Sequence, residues 1–164
     1  MRIRRRQRLR RKEINAYSQG ILDALDVDPF RDRDDIDLAE AGEWKLLIAD
    51  DEVRGILVGD RPFLTVRGLL KYPATKRWVT VDMGAVPFVY NGADVMAPGI
   101  VDAEPGIQPG DLVWVRDEKN RRPLAIGEAL MSGPGMVASQ KGKAIRSIHH
   151  VGDALWKLDE EPRE

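Results

Sequence analysis

Seven arginines (Arg2, Arg4, Arg5, Arg6, Arg8, Arg10 and Arg11) fall within the first eleven residues, and each guanidinium can fork onto two phosphate oxygens. With Lys12 they give residues 1–12 a charge of +8, and each phosphate neutralised would release counterions. Arg4, Arg5, Arg6, Arg8, Arg10 and Arg11 are therefore a candidate RNA-binding arm. An edge strand or helix end whose arginines pair with acids farther along is an equally open reading. A polybasic membrane-surface anchor ranks below both, because neither an amphipathic apolar face nor an acylation signal accompanies the run. A second basic group, Lys141, Lys143 and Arg146, gathers near one strand entrance with Arg77 expected close in the fold. It can grip phosphates, or act as a solvated basic edge that discourages strand aggregation. Arg116, Lys119, Arg121 and Arg122 share a loop with Asp117 and Glu118, so they read as a mixed, solvated hairpin tip.

Catalytic chemistry finds little support. With no cysteine, disulfides, thiolate nucleophiles and thiolate-held zinc or iron–sulfur centres are excluded. The pair His149-His150 suggests acid–base chemistry or a ligand. In a strand, however, neighbours face opposite sides, so both imidazoles do not serve one site. Asp50-Asp51-Glu52 reads as a solvated turn rather than a metal cluster, and neither a Walker-type phosphate loop nor a Gly-x-Ser-x-Gly motif occurs. The expectation is a protein without catalytic residues, metal or cofactor.

The chain of 164 residues is 43% hydrophobic and 32% charged, which is an ordinary globular composition. No apolar run approaches the roughly 20 residues that span a bilayer, and the basic start lacks the apolar stretch of a secretory signal. A cytoplasmic, membrane-free protein is expected. The net charge of −1 hides a sorting of signs: residues 23–52 carry twelve acids against three bases, directly behind the basic start.

Ile14, Tyr17, Ile21, Leu22 and Leu25 recur at helical spacing, predicting a helix over about 11–25 that Asp28-Pro29 ends. Short strands at 36–38, 44–48 and 53–58 suit an antiparallel meander. Arg61-Pro62 is expected to open a short helix reaching Leu70. Beyond the connector at 74–76 come brief strands at 77–81, 93–97, 111–116, 124–130, 143–151 and 155–158, with a short helix between Asp82 and Val89. So many short strands in about 80 residues close most readily as a small barrel. Gly92 stands where that helix hands over to a strand. Lacking a Cβ, it lets a phosphate or sugar come close to the backbone, or it serves as a left-handed helix C-cap.

Residues 78–158 resemble the PUA domain, a small RNA-binding pseudobarrel. The resemblance is carried by Val81-Asp82-Met83-Gly84-Ala85, by Asn91 through Ile100, by Pro109-Gly110-Asp111-Leu112-Val113-Trp114-Val115, by Ala125-Ile126-Gly127-Glu128-Ala129, by Gly142-Lys143-Ala144 and by Gly152-Asp153-Ala154-Leu155-Trp156. Leu64 through Pro73 and Ile148 through Trp156 extend it to the malignant-T-cell-amplified-sequence translation factors and the related ligatin, or initiation factor 2D, in an archaeal-type stand-alone form. The implied fold class is α+β, with a small N-terminal α/β domain followed by a PUA-type β pseudobarrel. Domain 1–75 would precede a PUA domain at 76–158, with a frayed acidic tail at 159–164. The resemblance also implies that the first helix of the barrel, the next strand and the last strands touch RNA. That adds Tyr90, Asn91, Gly92, Ala93, Asp94 and Met96 to the candidate site, with Met96 equally suited to the core.

The catalytic domains of pseudouridine synthases and transglycosylases do not fit into 75 residues. The leading reading is a non-catalytic translation factor that contacts small-subunit rRNA or a tRNA acceptor end, with a SUI1-type protein partner implied by resemblance. The alternatives are an accessory RNA-binding subunit of a tRNA or rRNA modification system, and a protein-interaction module acting through the acidic 23–52 face.

Overall fold

A computed structural model describes residues 1–161. The chain forms two compact units, one comprising Met1–Ala74 together with the chain from Ala154 onward, the other Thr75–Asp153. Among the described residues no helix is long and apolar enough to cross a membrane.

The first unit begins with β1 (Arg4–Arg8), followed by α1 (Arg11–Leu25). Four further strands, β2 (Asp37–Ala41), β3 (Trp44–Ala49), β4 (Glu52–Val58) and β5 (Arg61–Leu64), complete an antiparallel sheet of order β1-β2-β3-β4-β5. The two-residue turn between β3 and β4 is Asp50-Asp51, with φ of +52° and +58°. That is the twist a tight hairpin needs, and aspartate tolerates it. Ile14, Ile21 and Leu25 of α1 are buried with Leu46, Ile48, Ile56 and Phe63 of the sheet.

Two expectations for this unit need correction. Residues 61–64 are a strand rather than the start of a helix: Phe63 pairs with Ile56 and Leu64 with Gly55. At Pro62 the missing N–H is harmless because β5 is an edge strand. The helix starts later, as α2 (Val66–Lys71), where the Thr65 hydroxyl accepts from the Gly68 N–H at 3.1 Å. The segment 155–158, expected as a barrel strand, is instead a short helix, Ala154–Lys157, running into a 3-10 turn. Leu155 and Leu158 are buried at helical spacing.

That segment lies in the first unit. The Arg67 guanidinium stacks 3.7 Å from the Trp156 ring centroid and pairs with Asp159 at 3.2 Å. Asp159 also accepts from the Val53 N–H at 3.1 Å. Asp159 is thus anchored rather than frayed; residues 162–164 of the expected tail lie outside the described residues.

The second unit consists of β6 (Trp78–Val81), α3 (Val86–Tyr90), β7 (Val95–Met96), β8 (Ile100–Ala103), β9 (Leu112–Asp117), β10 (Pro123–Ala129), α4 (Gly133–Ala138) and β11 (Lys143–His150). Its six strands run in the order β7-β11-β10-β9-β6-β8, with β6 and β9 parallel. The curled sheet encloses Val79, Val81, Val113, Val115, Ala125 and Ile145 in a common core with Val89 of α3 and Met136 of α4. This is the α+β architecture with a PUA-type pseudobarrel. β8 and α4 were not anticipated: β8 is short with an exposed middle, and α4 opens on Gly133-Pro134-Gly135, which reads as a turn until the Ser132 hydroxyl caps it by accepting from Gly135 N–H at 3.0 Å.

Candidate nucleic-acid interface

The site grows from the five-residue helix α3. Ahead of it, an Asp82 carboxylate oxygen accepts from the Ala85 N–H at 2.8 Å, fixing the entry turn. Pro87 sits in the first turn, where a missing N–H is tolerated. The exit depends on Gly92, whose φ is +81° and whose N–H donates to the Val89 carbonyl at 3.0 Å. Gly92 therefore does serve as a left-handed cap. It also permits a close approach, because a Cβ at this position would stand 2.9 Å from His150 Nε2. The Val151 carbonyl lies 2.9 Å from His150 Nδ1 and can only accept, so that nitrogen carries a hydrogen and leaves Nε2 facing Gly92. His149 turns inward instead, fully buried with Nδ1 2.9 Å from Asp153.

Because α3 is so short, only Val89 is buried. Phe88 is 65% exposed, Tyr90 41%, Met96 46% and Met83 43%. Phe88 and Met96 flank a cleft of about 470 Å³ whose wall includes Ala85, Val95, Pro98 and Asp82. Met96 is thus on the surface rather than in the core. Phe88 and Met83 were missed from sequence. Phe88 could have been found from the helix itself, since placing Val89 inward turns its neighbour outward.

Lys143 lies opposite Met96 in the β7–β11 pairing and reaches Asp94 at 3.3 Å. Asp94 also accepts from the Ser147 N–H at 2.9 Å. That backbone donor, and then Lys143, hold its carboxyl below the usual aspartate value. Arg146 stands 3.7 Å from Glu128. Lys141 is exposed and forms no ion pair among the described residues. The structure therefore brings together Tyr90, Asn91, Gly92, Ala93, Asp94, Met96, Lys141, Lys143 and Arg146 on α3, β7, β11 and the turns that lead into the two strands, with two of the three cations already paired.

Arg77 does not join them. It precedes β6, from which β11 is separated by β9 and β10, and its guanidinium donates to the Leu112 carbonyl at 3.2 Å. The expected proximity fails because two strands stand between β6 and β11 in the curled sheet.

The arginine-rich start is an edge strand. Arg5 pairs with Glu40 at 3.2 Å, Arg6 with Asp37 at 2.7 Å and Asp51 at 2.8 Å, and Arg8 with Asp37 at 2.7 Å. Arg4 contacts Glu40 and the Gly42 carbonyl, and Arg11 donates to the Arg31 carbonyl. Burial pushes the Asp37 carboxyl up, but the hydrogen bonds from Arg8 and Arg6 outweigh it and hold the group below its ordinary value. The Arg10 backbone N–H donates to Glu13 at the start of α1. These pairs neutralise much of the charge that would attract phosphate. Among the described residues no group of three or more acids and histidines is arranged to hold a metal ion.

The PUA domain family matches residues 77–151. An uncharacterized protein of Methanocaldococcus jannaschii is 36% identical, covering 90% of this chain and 88% of the relative. Translation machinery-associated protein 20 of Eremothecium gossypii is 31% identical, covering 74% of this chain and 75% of the relative. Among solved structures, a PUA domain protein of Aeropyrum pernix in a tartrate complex superposes with a TM-score of 0.82 at 27% identity, covering 98% of this chain and 92% of the other. The chain therefore carries an RNA-binding PUA domain and belongs to the family of Translation machinery-associated protein 20 and the malignant T-cell-amplified sequence proteins.

Proposed function

We propose that this protein is a non-catalytic, cytoplasmic RNA-binding factor of translation that contacts small-subunit rRNA or a tRNA acceptor end through α3, β7 and β11. The observation that carries this reading is the exposed apolar pair Phe88 and Met96 lining the α3 cleft, with Tyr90 also exposed on the same helix. Exposed aromatic and thioether side chains beside a concave apolar wall suit unstacked bases, which stack on such surfaces in single-stranded RNA. Lys141, Lys143 and Arg146 supply cations at the rim. Lys143 and Arg146 can exchange their partly exposed carboxylate partners for phosphates, because surface ion pairs hold weakly. The protein's work would be positioning: the PUA face fixes one RNA element while the first unit engages a second RNA or a SUI1-type protein partner, as family membership suggests.

The test is equilibrium binding of the full chain to isolated small ribosomal subunits, and to tRNA with an intact or an enzymatically trimmed 3′ strand. Binding to the subunits, or to tRNA with loss on trimming, is expected. Equal affinity for blunt duplex RNA of the same length, with no preference for either target, would overturn the reading.

A further inference from the structure

The hairpin joining β9 to β10 has a composition that suggests internal neutralisation, with Arg116, Lys119, Arg121 and Arg122 beside Asp117 and Glu118. The structure engages both acids elsewhere. Asp117 is buried, and its carboxylate accepts from the backbone N–H groups of Asn120 at 2.6 Å and Arg122 at 3.3 Å. Glu118 accepts from the Met83 N–H at 3.3 Å. Among the described residues, no carboxylate lies within 4.0 Å of any of the four cations.

Arg116 is the most constrained of the four. In β9, Val113 and Val115 point into the core, so Trp114 and Arg116 lie on the outer face, in register with Trp78 and Thr80 of β6. The guanidinium carbon stands 4.1 Å from the Trp78 ring centroid and 5.7 Å from that of Trp114. Its Nε donates to the Thr80 hydroxyl at 2.9 Å, and that is its one protein hydrogen bond among the described residues. Burial, and then the charge of Arg121, lower its pKa from the ordinary arginine value; Asp102 is the acid whose field opposes this. The Asp102 carboxylate accepts from its neighbour's N–H, that of Ala103, at 2.9 Å. A partly desolvated arginine held over an indole, without a carboxylate partner, presents its terminal nitrogens as a pre-oriented fork for an oxyanion.

The hairpin is continuous with the α3 cleft. The Glu118 N–H donates to the Val81 carbonyl at 3.0 Å, and Glu118 accepts from Met83, so the tip is stitched to the turn that opens the cleft. We propose that the β9–β10 hairpin is a second contact for RNA. Arg116 grips one backbone phosphate, and Lys119, Arg121 and Arg122 neutralise those that follow, on the strand whose bases meet Phe88 and Met96. This rests on the RNA reading of that cleft. An RNA strand is the fitting occupant because an open apolar cleft flanked by Phe88 and Met96 adjoins cations that have no carboxylate partner.

The experiment measures binding of the full chain to labelled poly-uridylate over a range of salt concentrations. The variants are Lys119→Ala/Arg121→Ala/Arg122→Ala, Arg116→Lys and Phe88→Ala. Lys119, Arg121 and Arg122 are exposed, so the triple change leaves folding intact. It should flatten the log–log salt dependence by about two units, at roughly 0.7 per lost phosphate contact on a single strand. Arg116→Lys keeps the charge but loses the fork, and should weaken binding with little change in slope. If the triple variant keeps the wild-type slope and affinity while Phe88→Ala still weakens binding, the hairpin contact is wrong and the cleft reading survives. If the wild-type chain does not bind RNA at low salt, both fall. If the triple change removes binding only to phosphatidylserine vesicles and leaves RNA binding intact, the hairpin faces a membrane and the inference is likewise overturned.

Discussion

Phe88→Ala separates recognition from folding. At 65% exposure the Phe88 ring contributes little to the core, so its removal should change stability by no more than about 0.5 kcal/mol, as for other surface positions. Stacking of a base on an aromatic side chain is worth about 1–3 kcal/mol, so affinity for single-stranded RNA should fall between about 5- and 150-fold. The neighbouring Val89 is 3% exposed and packs into the barrel core; Val89→Ala should show the opposite pattern, losing about 1–3 kcal/mol of stability. The assay is fluorescence anisotropy at two ionic strengths, paired with urea denaturation of the same preparations. Because no phosphate contact is lost, Phe88→Ala should leave the salt slope unchanged. Affinity within twofold of wild type, or an altered slope with unchanged affinity at low salt, would refute base stacking at α3.

Three further outcomes follow from the geometry. Gly92→Ala should destabilise by about 1–2 kcal/mol through its left-handed backbone alone, with more from the approach to His150; His150→Ala should relieve part of that loss, and strict additivity in a double-mutant cycle would deny the contact. Arg54 is 7% exposed and bonds Asp50 at 2.9 Å, the Tyr72 hydroxyl at 2.7 Å and Glu52 at 3.2 Å. Arg54→Met should lower stability by about 1.5–3 kcal/mol in urea titration, since its carboxylate partners keep some solvent access. Finally, Arg33, and after it Arg54, hold Asp50 down to about 2. A carboxyl depressed on folding stabilises the native state above its unfolded value of about 3.9 and loses that contribution as pH falls through the folded value. Thermal stability should therefore decline between about pH 4 and pH 2, and Arg33→Met should shrink that decline; an identical acid profile would contradict the pairing.

Much of the architecture could be read from local pattern. The helix at 11–25 follows from apolar spacing, the β9–β10 hairpin from alternation, and the barrel from ordered glycine-rich turns. The segment at 61–64 misled because Pro62 marks an edge strand as well as it marks a helix start, and pairing with β4 decided between them. The segment at 155–158 misled because its two leucines bury against the first unit at helical spacing, which local sequence does not reveal. For the site, the Gly92 cap was legible because a helix must end somewhere. The pairing of Lys143 with Asp94 was not, since it depends on how β11 registers against β7. Arg77 was misplaced because the strand order that sets β9 and β10 between β6 and β11 is not written in local sequence. The arginine run had two readings until β1 was seen beside Asp37 and Glu40, a contact fixed by sheet order rather than by composition.

The central claim is that RNA lies on the face formed by α3, β7 and β11. Ultraviolet crosslinking of the full chain in its native cells, followed by identification of both the modified peptides and the attached RNA, tests it most directly. Adducts within residues 83–97 and 141–150, on RNA enriched in small-subunit rRNA or tRNA 3′ ends, are the predicted result. Adducts confined to the β1 segment, or no RNA above background, would contradict it.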